Sequence, residues 1–150
     1  MSFTYLEAED ELFGIANTAW LAAVGTADVD FAVPPTMVFP GMLFVPVPNL
    51  IYAECSFQVV LERQSAVGQS NGLKLYETTG LLVIQVKSPK SDVSALRTAK
   101  SLACAVKDAF CQPSPSWEIW FRNQKLTQVS GNETRNQVNV VITCVYTQVK

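Results

Sequence analysis

Histidine is absent from this chain, which removes the commonest general base and the commonest metal ligand at once. The four cysteines (Cys55, Cys104, Cys111 and Cys144) have no CxxC spacing, so nothing points to a zinc site. The only glycine-flanked polar run, Gly68-Gln69-Ser70-Asn71-Gly72, fits neither the Walker pattern nor GxGxxG. Charged residues make up just 16% of the chain. No apolar run reaches the roughly 18 residues that a membrane-spanning helix needs, because Gly, Pro and polar residues interrupt each one. The first residues carry neither a basic n-region nor an apolar h-region, so no secretion signal is expected. Serine, cysteine and lysine nucleophiles stand without a visible base or orienting partner. The expectation is a protein without catalytic, metal-binding or cofactor-binding residues, and not an enzyme.

Against these absences stands an excess of apolar residues, 49% of 150. That length suits one domain with a sizeable core. So much apolar character with so little charge implies spare surface meant for another protein chain, and self-association is the default expectation. A net charge of -2 and a pI near 5.1 argue against general nucleic-acid affinity, which needs clustered Lys and Arg. The cysteines are expected as reduced, packed thiols, with Cys55 and Cys144 in strands and Cys104 in a helix.

The chain is organised around residues 72 to 110. A long strand is predicted from Leu73 to Lys87, a break at Ser88-Pro89, and a helix from about Ser91 to Phe110. Leu82, Ile84 and Val86 alternate with Leu81, Val83 and Gln85, so this strand should be central and covered. Gly80 suggests a bulge or a change of partner. The helix stripe is Val93, Leu96, Ala99, Leu102, Ala103, Val106 and Phe110, with Ser91 and Asp92 as cap candidates. Upstream, Thr4-Tyr5-Leu6-Glu7 has the form of a capping box. Leu12, Ile15, Ala16, Ala19, Trp20 and Ala23 then predict a first helix from Tyr5 to about Val24. Glu7, Glu9, Asp10 and Glu11 read as a dipole-favoured first turn.

Between the first helix and Asn49, five prolines (Pro34, Pro35, Pro40, Pro46 and Pro48) predict loop. Short extended pieces at Thr36–Phe39 and Leu43–Val45 would lie at a sheet edge or over a neighbour. Ile51 to Arg63 alternates as a strand, with Ile51, Ala53, Cys55, Phe57, Val59 and Leu61 on one face. A polar loop, Gln64 to Gly72, closes a hairpin to the next strand. After the second helix, Trp117 to Phe121 reads as a short strand that Leu126 to Val129 continues past a turn at Arg122-Asn123-Gln124. Ser130-Gly131-Asn132-Glu133 reads as a turn, and Gln137 to Thr147 as the closing strand, with Val138, Val140, Ile142, Cys144 and Tyr146 on one face. The fold class is α+β in the order α-β-β-α-β-β, with an extra edge strand possible after the first helix. That gives an antiparallel β-sheet of about four to five strands with two α-helices on one face. Trp117, Trp120 and Phe121 are too crowded for alternation to bury all three, which leaves a choice between core and a subunit interface.

Two stretches carry a resemblance. Residues 72 to 89, Gly-Leu-Lys-Leu-Tyr-Glu-Thr-Thr-Gly-Leu-Leu-Val-Ile-Gln-Val-Lys-Ser-Pro, form a strand with a glycine, then alternating apolar residues, then a proline before a helix. With Asn136-Gln-Val-Asn-Val-Val-Ile-Thr-Cys-Val-Tyr, they resemble the tail-terminator (tail-completion) proteins of tailed bacteriophages, and the element order agrees over nearly the whole chain. The bulk of Pro34 to Pro48 departs from that pattern. So does Tyr76-Glu77-Thr78-Thr79, where a basic residue is usual. The resemblance implies a structural virion protein of the tail or neck, assembled in the bacterial host cytoplasm. It would form a ring, typically of six copies, that caps the tail tube, ends its polymerisation and meets the head connector or stopper protein. On this reading, contacts to neighbours and tube fall to Arg63, Gln64, Val67, Gln69, Ser70, Asn71, Lys74, Trp117, Trp120 and Arg122. The alternatives are another neck or head-tail joining protein, or a small-ligand or peptide-binding α+β module with a pocket between helices and sheet.

Overall fold

The computed structural model describes residues 4–27, 29–31, 33–66, 74–129, 131–132 and 134–149. The elements are α1 (Tyr5–Thr26), β1 (Thr36–Val38), β2 (Tyr52–Ala66), β3 (Leu75–Pro89), α2 (Val93–Ala109), β4 (Ile119–Val129) and β5 (Arg135–Val149). They make an α+β fold, with a five-stranded sheet in the order β1-β2-β3-β5-β4. Every pairing is antiparallel except β1 with β2, which is parallel and spans only Thr36 to Val38.

Each helix starts where the sequence can satisfy its first amides. Thr4 Oγ1 accepts from the Glu7 amide at 3.2 Å and Glu7 returns the bond to the Thr4 amide at 2.8 Å, which completes the capping box. Asp92 caps α2 by accepting from the Ser94 amide at 3.0 Å, and Val93, as first helical residue, is left exposed instead of joining the stripe. Ala8, Leu12, Ala16, Trp20 and Ala23 of α1 face inward, as do Ala95, Ala99, Leu102, Ala103 and Val106 of α2. The Trp20 indole N–H donates to the Pro35 carbonyl at 2.9 Å, tying α1 to the lead-in of β1.

Beneath the helices, one face of the sheet is apolar in continuous rows. Ala53, Val86 and Val138 form one, Cys55, Ile84 and Val140 the next, and Phe57, Leu82 and Ile142 a third. All nine are buried. The opposite face, with Leu81, Val83 and Val141, is only half-buried because no helix lies over it. β3 is therefore central in the sheet but covered on one side, where alternation suggested two.

Four further expectations change. Ser88 and Pro89 do not break β3; they stay paired with Asn136 and Arg135, and the proline is tolerated as the last strand residue. Leu43–Val45 forms no strand. Trp117 lies ahead of β4 in a turn with φ of 61°. Leu61 leaves the core face: Val59 pairs with Gly80 but Leu61 pairs with Thr79, so Val60 is an extra residue that turns Leu61 to the open face, 52% exposed. The anticipated irregularity at Gly80 is thus a bulge on the partner strand. β4 does run through the anticipated turn as one strand, with an irregularity between Arg122 and Lys125 where Asn123 has φ of 53°.

Gly80 makes room for Phe57. A Cβ there would sit 2.5 Å from Phe57 Cε2 and 3.0 Å from the Gln58 carbonyl oxygen. Gly80→Ala is expected to lower stability by about 1–3 kcal/mol in urea unfolding, through overpacking, and Phe57→Leu in the same chain should restore part of the loss. An unchanged midpoint for Gly80→Ala would show that the ring has space to swing away.

Candidate subunit interface

Both long edges of the sheet lack a strand partner over most of their length among the described residues. β1 covers β2 only over Tyr52, Ala53 and Glu54, so the outer edge of β2 is open from Cys55 to its end at Ala66. On the far side, β4 pairs with β5 alone, and past Ile119, whose amide donates to Ser114, its outer edge has no strand partner among the described residues. Open edges present unpaired amides and carbonyls, ready for another chain.

The tryptophans stand at the β4 edge, and the turn before β4 is built to present them. Glu11 of α1 accepts from the Ser116 amide at 2.8 Å and from its hydroxyl at 2.7 Å. The buried Ser114 hydroxyl accepts from the Ile119 amide at 3.3 Å, and the Trp117 amide donates to the Ser114 carbonyl at 3.0 Å. Trp117 is consequently held outward, 74% exposed, and Trp120 is 54% exposed. Phe121 alone turns inward, edge-to-face on Phe110 with centroids 5.1 Å apart. Trp117, Trp120 and Arg122 surround a cleft of about 350 Å³ with Phe110, Cys111 and Gln124. The Gln124 side chain closes its floor by donating to the Phe110 carbonyl at 2.9 Å.

The other predicted contact residues lie at the opposite edge. Arg63 is exposed and pairs with Glu77 at 3.2 Å, an exposed ion pair of little energetic weight. Gln64 pairs with Tyr76 across the hairpin, and Lys74 is exposed just ahead of β3. Val67, Gln69, Ser70 and Asn71 lie outside the described residues. The structure therefore gathers Trp117, Trp120 and Arg122 but keeps them apart from Arg63, Gln64 and Lys74. Leu61, Thr79, Val145 and Trp120 share one row of the open face. Three strand spacings, about 14 Å, separate the ends of that row.

Two further apolar surfaces lie outside these contact residues. One is the open sheet face around Leu61, Leu81, Val83 and Val141. The other is the proline-rich segment, where Leu43 is 99% exposed and Val45, Val47 and Met42 are exposed beside it. Phe44 anchors that segment by packing on Tyr52, centroids 5.2 Å apart. Arg135 locks it from the sheet side: its guanidinium lies 4.8 Å over the Tyr52 ring and donates to the carbonyls of Leu50 at 2.8 Å and Val47 at 2.9 Å. The signal available was the lack of any charge from Phe31 to Ala53.

Burial pushes the Cys55 and Cys144 thiols up to about 12, with the nearby Cys144 adding to the effect on Cys55. Burial first, then the Glu62 charge, raises the Tyr146 hydroxyl to about 12. Cys104 and Cys111 are exposed, not packed as their apolar surroundings suggested, because each falls on the outer side of α2 or just past its end. Among the described residues no group of three or more Cys, Asp and Glu side chains is placed to hold a metal ion, and no helix is long and apolar enough to cross a membrane.

No protein-family model matches the chain, and no curated protein does. Solved structures with a similar outline do exist. One is a chain from the virion of a native gene transfer agent particle, with 20% identity and a TM-score of 0.45 over 90% of this chain and 91% of that one. Another, a solved protein without a descriptive name, has 15% identity and a TM-score of 0.46 over 94% of this chain and 95% of its own. At these scores and identities neither likeness assigns a function.

Thiol titration checks the burial pattern. In the native protein near pH 8, Cys104 and Cys111 are expected to react with a disulfide reagent within minutes, while Cys55 and Cys144 react only after denaturation. Rapid native reaction of all four would contradict the packing of β2 and β5.

Proposed function

We propose that this chain is a structural, non-catalytic virion protein of the tail or neck. Copies join into a closed ring, most simply of six, which caps the tail tube, stops its growth and offers a surface to the head connector. The observation that carries this reading is the pair of unpartnered, dissimilar edges on one sheet. Trp117 and Trp120 stand exposed at one, Val60 and Leu61 at the other. When two dissimilar edges meet each other the contact is head to tail, and such a contact closes into a ring when its rotation divides a full turn. Exposed tryptophan beside arginine suits the centre of such a contact.

The resemblance of the β3 motif and the closing strand to tail-terminator proteins supports the same reading. A pocket-based binding module is disfavoured: Leu12, Trp20, Leu102 and Phe110 fill the space between helices and sheet where a ligand would have to enter. Tube contacts fall to the β2–β3 hairpin, whose strands carry Arg63, Gln64 and Lys74 to its base.

The test is a capping assay. Added to polymerising tail-tube subunits, the protein is expected to shorten tubes and to be seen by electron microscopy as a ring at one tube end. A version with Val67 to Asn71 replaced by a short turn should fold and yet fail to cap. Tubes of unchanged length with no terminal density would overturn the proposal, and full capping by the shortened hairpin would remove the hairpin from it.

A further inference from the structure

The proposed ring uses the two sides of the sheet and gives one of its ends, the β2–β3 hairpin, to the tube. At the other end the β3–β5 ladder closes on Pro89 and Arg135, a full strand length of about 50 Å from the hairpin base. A cleft of about 610 Å³ opens there. Pro46, Pro48 and Pro89 give it apolar walls, and the charged residues that line it are Lys90 and Arg135. Both are cations, in a chain whose net charge is -2.

Three segments meet at this cleft, and each is tied to the next. The Lys90 amide donates to the Thr134 carbonyl at 3.0 Å, which joins the β3–α2 corner to the start of β5. The Ser91 hydroxyl donates to Asn49 Oδ1 at 3.2 Å, and Arg135 donates to the Val47 and Leu50 carbonyls, so the proline-rich segment is fixed to both. The cleft is thus formed before anything binds, which keeps the ordering cost of an occupant low. Lys90 is exposed and has no ion pair among the described residues. Asp92, two residues along, is committed to the cap of α2, where it accepts from the Ser94 amide at 3.0 Å and the Ser94 hydroxyl at 2.6 Å. Next to Pro46 and Pro48, Val45 and Val47 are exposed.

We infer that this cleft is the docking site for the head-side partner, which enters it with an acidic and apolar segment. The inference rests on the ring reading above and assigns the end of the sheet that the tube leaves free. Carboxylates of the segment answer the charge of Lys90 and Arg135, and its apolar side chains lie against the prolines and Val47. Charge complementarity selects this occupant. Nucleic acid fits poorly, because two cations among three prolines are not the clustered Lys and Arg that a phosphate backbone needs. A second copy fits poorly too. The chain's densest group of acids lies in the first turns of α1, where Glu7, Glu9 and Glu11 already hold Thr4, Tyr5 and Ser116.

Capped tails mixed with filled, tailless heads test this, with joined particles counted by electron microscopy. Four proteins are compared: wild type, Lys90→Glu, Lys90→Arg and Val47→Asp. Both positions are exposed, and equal thermal midpoints check that every variant folds. Wild type and Lys90→Arg are expected to cap tubes and to join heads. Lys90→Glu and Val47→Asp should still cap tubes of normal length but lower the joined fraction about tenfold or more, since each sets a like charge before the acidic segment. Raising the salt should lower wild-type joining. Joining by Lys90→Glu at the wild-type level would overturn this inference while leaving the ring reading intact. Loss of capping by Lys90→Glu would also overturn it, by giving the cleft to the tube or to a neighbouring copy. A wild type that forms no cap would instead overturn the ring reading, and this inference with it.

Discussion

The unbroken antiparallel ladder between β3 and β5 is the constraint on which the rest of the molecule depends. It pairs Leu75 with Val149 at one end and Pro89 with Arg135 at the other, without a register shift. Period-two alternation then puts Leu82, Ile84, Val86, Val138, Val140 and Ile142 on one face, and only that face can seat both helices. Irregularity is confined to the outer strands: the Val60 bulge and the shift between Gln64 and Ala66 in β2, and the step between Arg122 and Lys125 in β4. A fifteen-residue strand extends about 50 Å, whereas helices of twenty-two and seventeen residues extend about 33 and 26 Å. The sheet is longer than its cover, which leaves strand ends and much of one face, beyond the part under Phe44, available to other chains.

The edges follow from the same arithmetic. A central pair this long needs flanking strands, but β1 contributes three residues because Pro34, Pro35 and Pro40 bracket it and supply no amide hydrogens. β4 enters from a turn that Glu11 and Ser114 fix, and that turn sets Trp117 and Trp120 in water. Exposing two tryptophans and leaving two edges open is costly in an isolated molecule. It is economical if the same surfaces are covered on assembly.

Much of this was legible in the residues. The capping box at Thr4 and Glu7, the inward stripes of both helices, the closing strand from Val138 to Tyr146 and the edge strand near Thr36 follow from periodicity and cap chemistry. What escaped was long-range. The Val60 bulge cannot be read locally, since it shows only in the pairing of β2 with β3, where Val59 meets Gly80 and Leu61 meets Thr79. Pro89 looked like a break because its partner Arg135 is distant in sequence. The expected contact residues were drawn from a hairpin and from the Trp117 region. That these lie on opposite edges of the sheet needed the strand order, in which β5 inserts between β3 and β4. The prolines marked this segment as loop at a sheet edge or over a neighbour; its anchoring by Phe44, Tyr52 and Arg135 depends on contacts across the fold.

The central claim is that both edges are used together, each by a different neighbour. Amide hydrogen exchange in dilute and in concentrated protein tests it most directly. Outward-facing amides of β2 between Ser56 and Glu62 and of β4 between Trp120 and Thr127 should gain protection in parallel as concentration rises, while those of the β3–β5 ladder stay as slow as before. Protection gained at one edge alone, or at neither edge while the protein assembles, would contradict a head-to-tail ring built on these two edges.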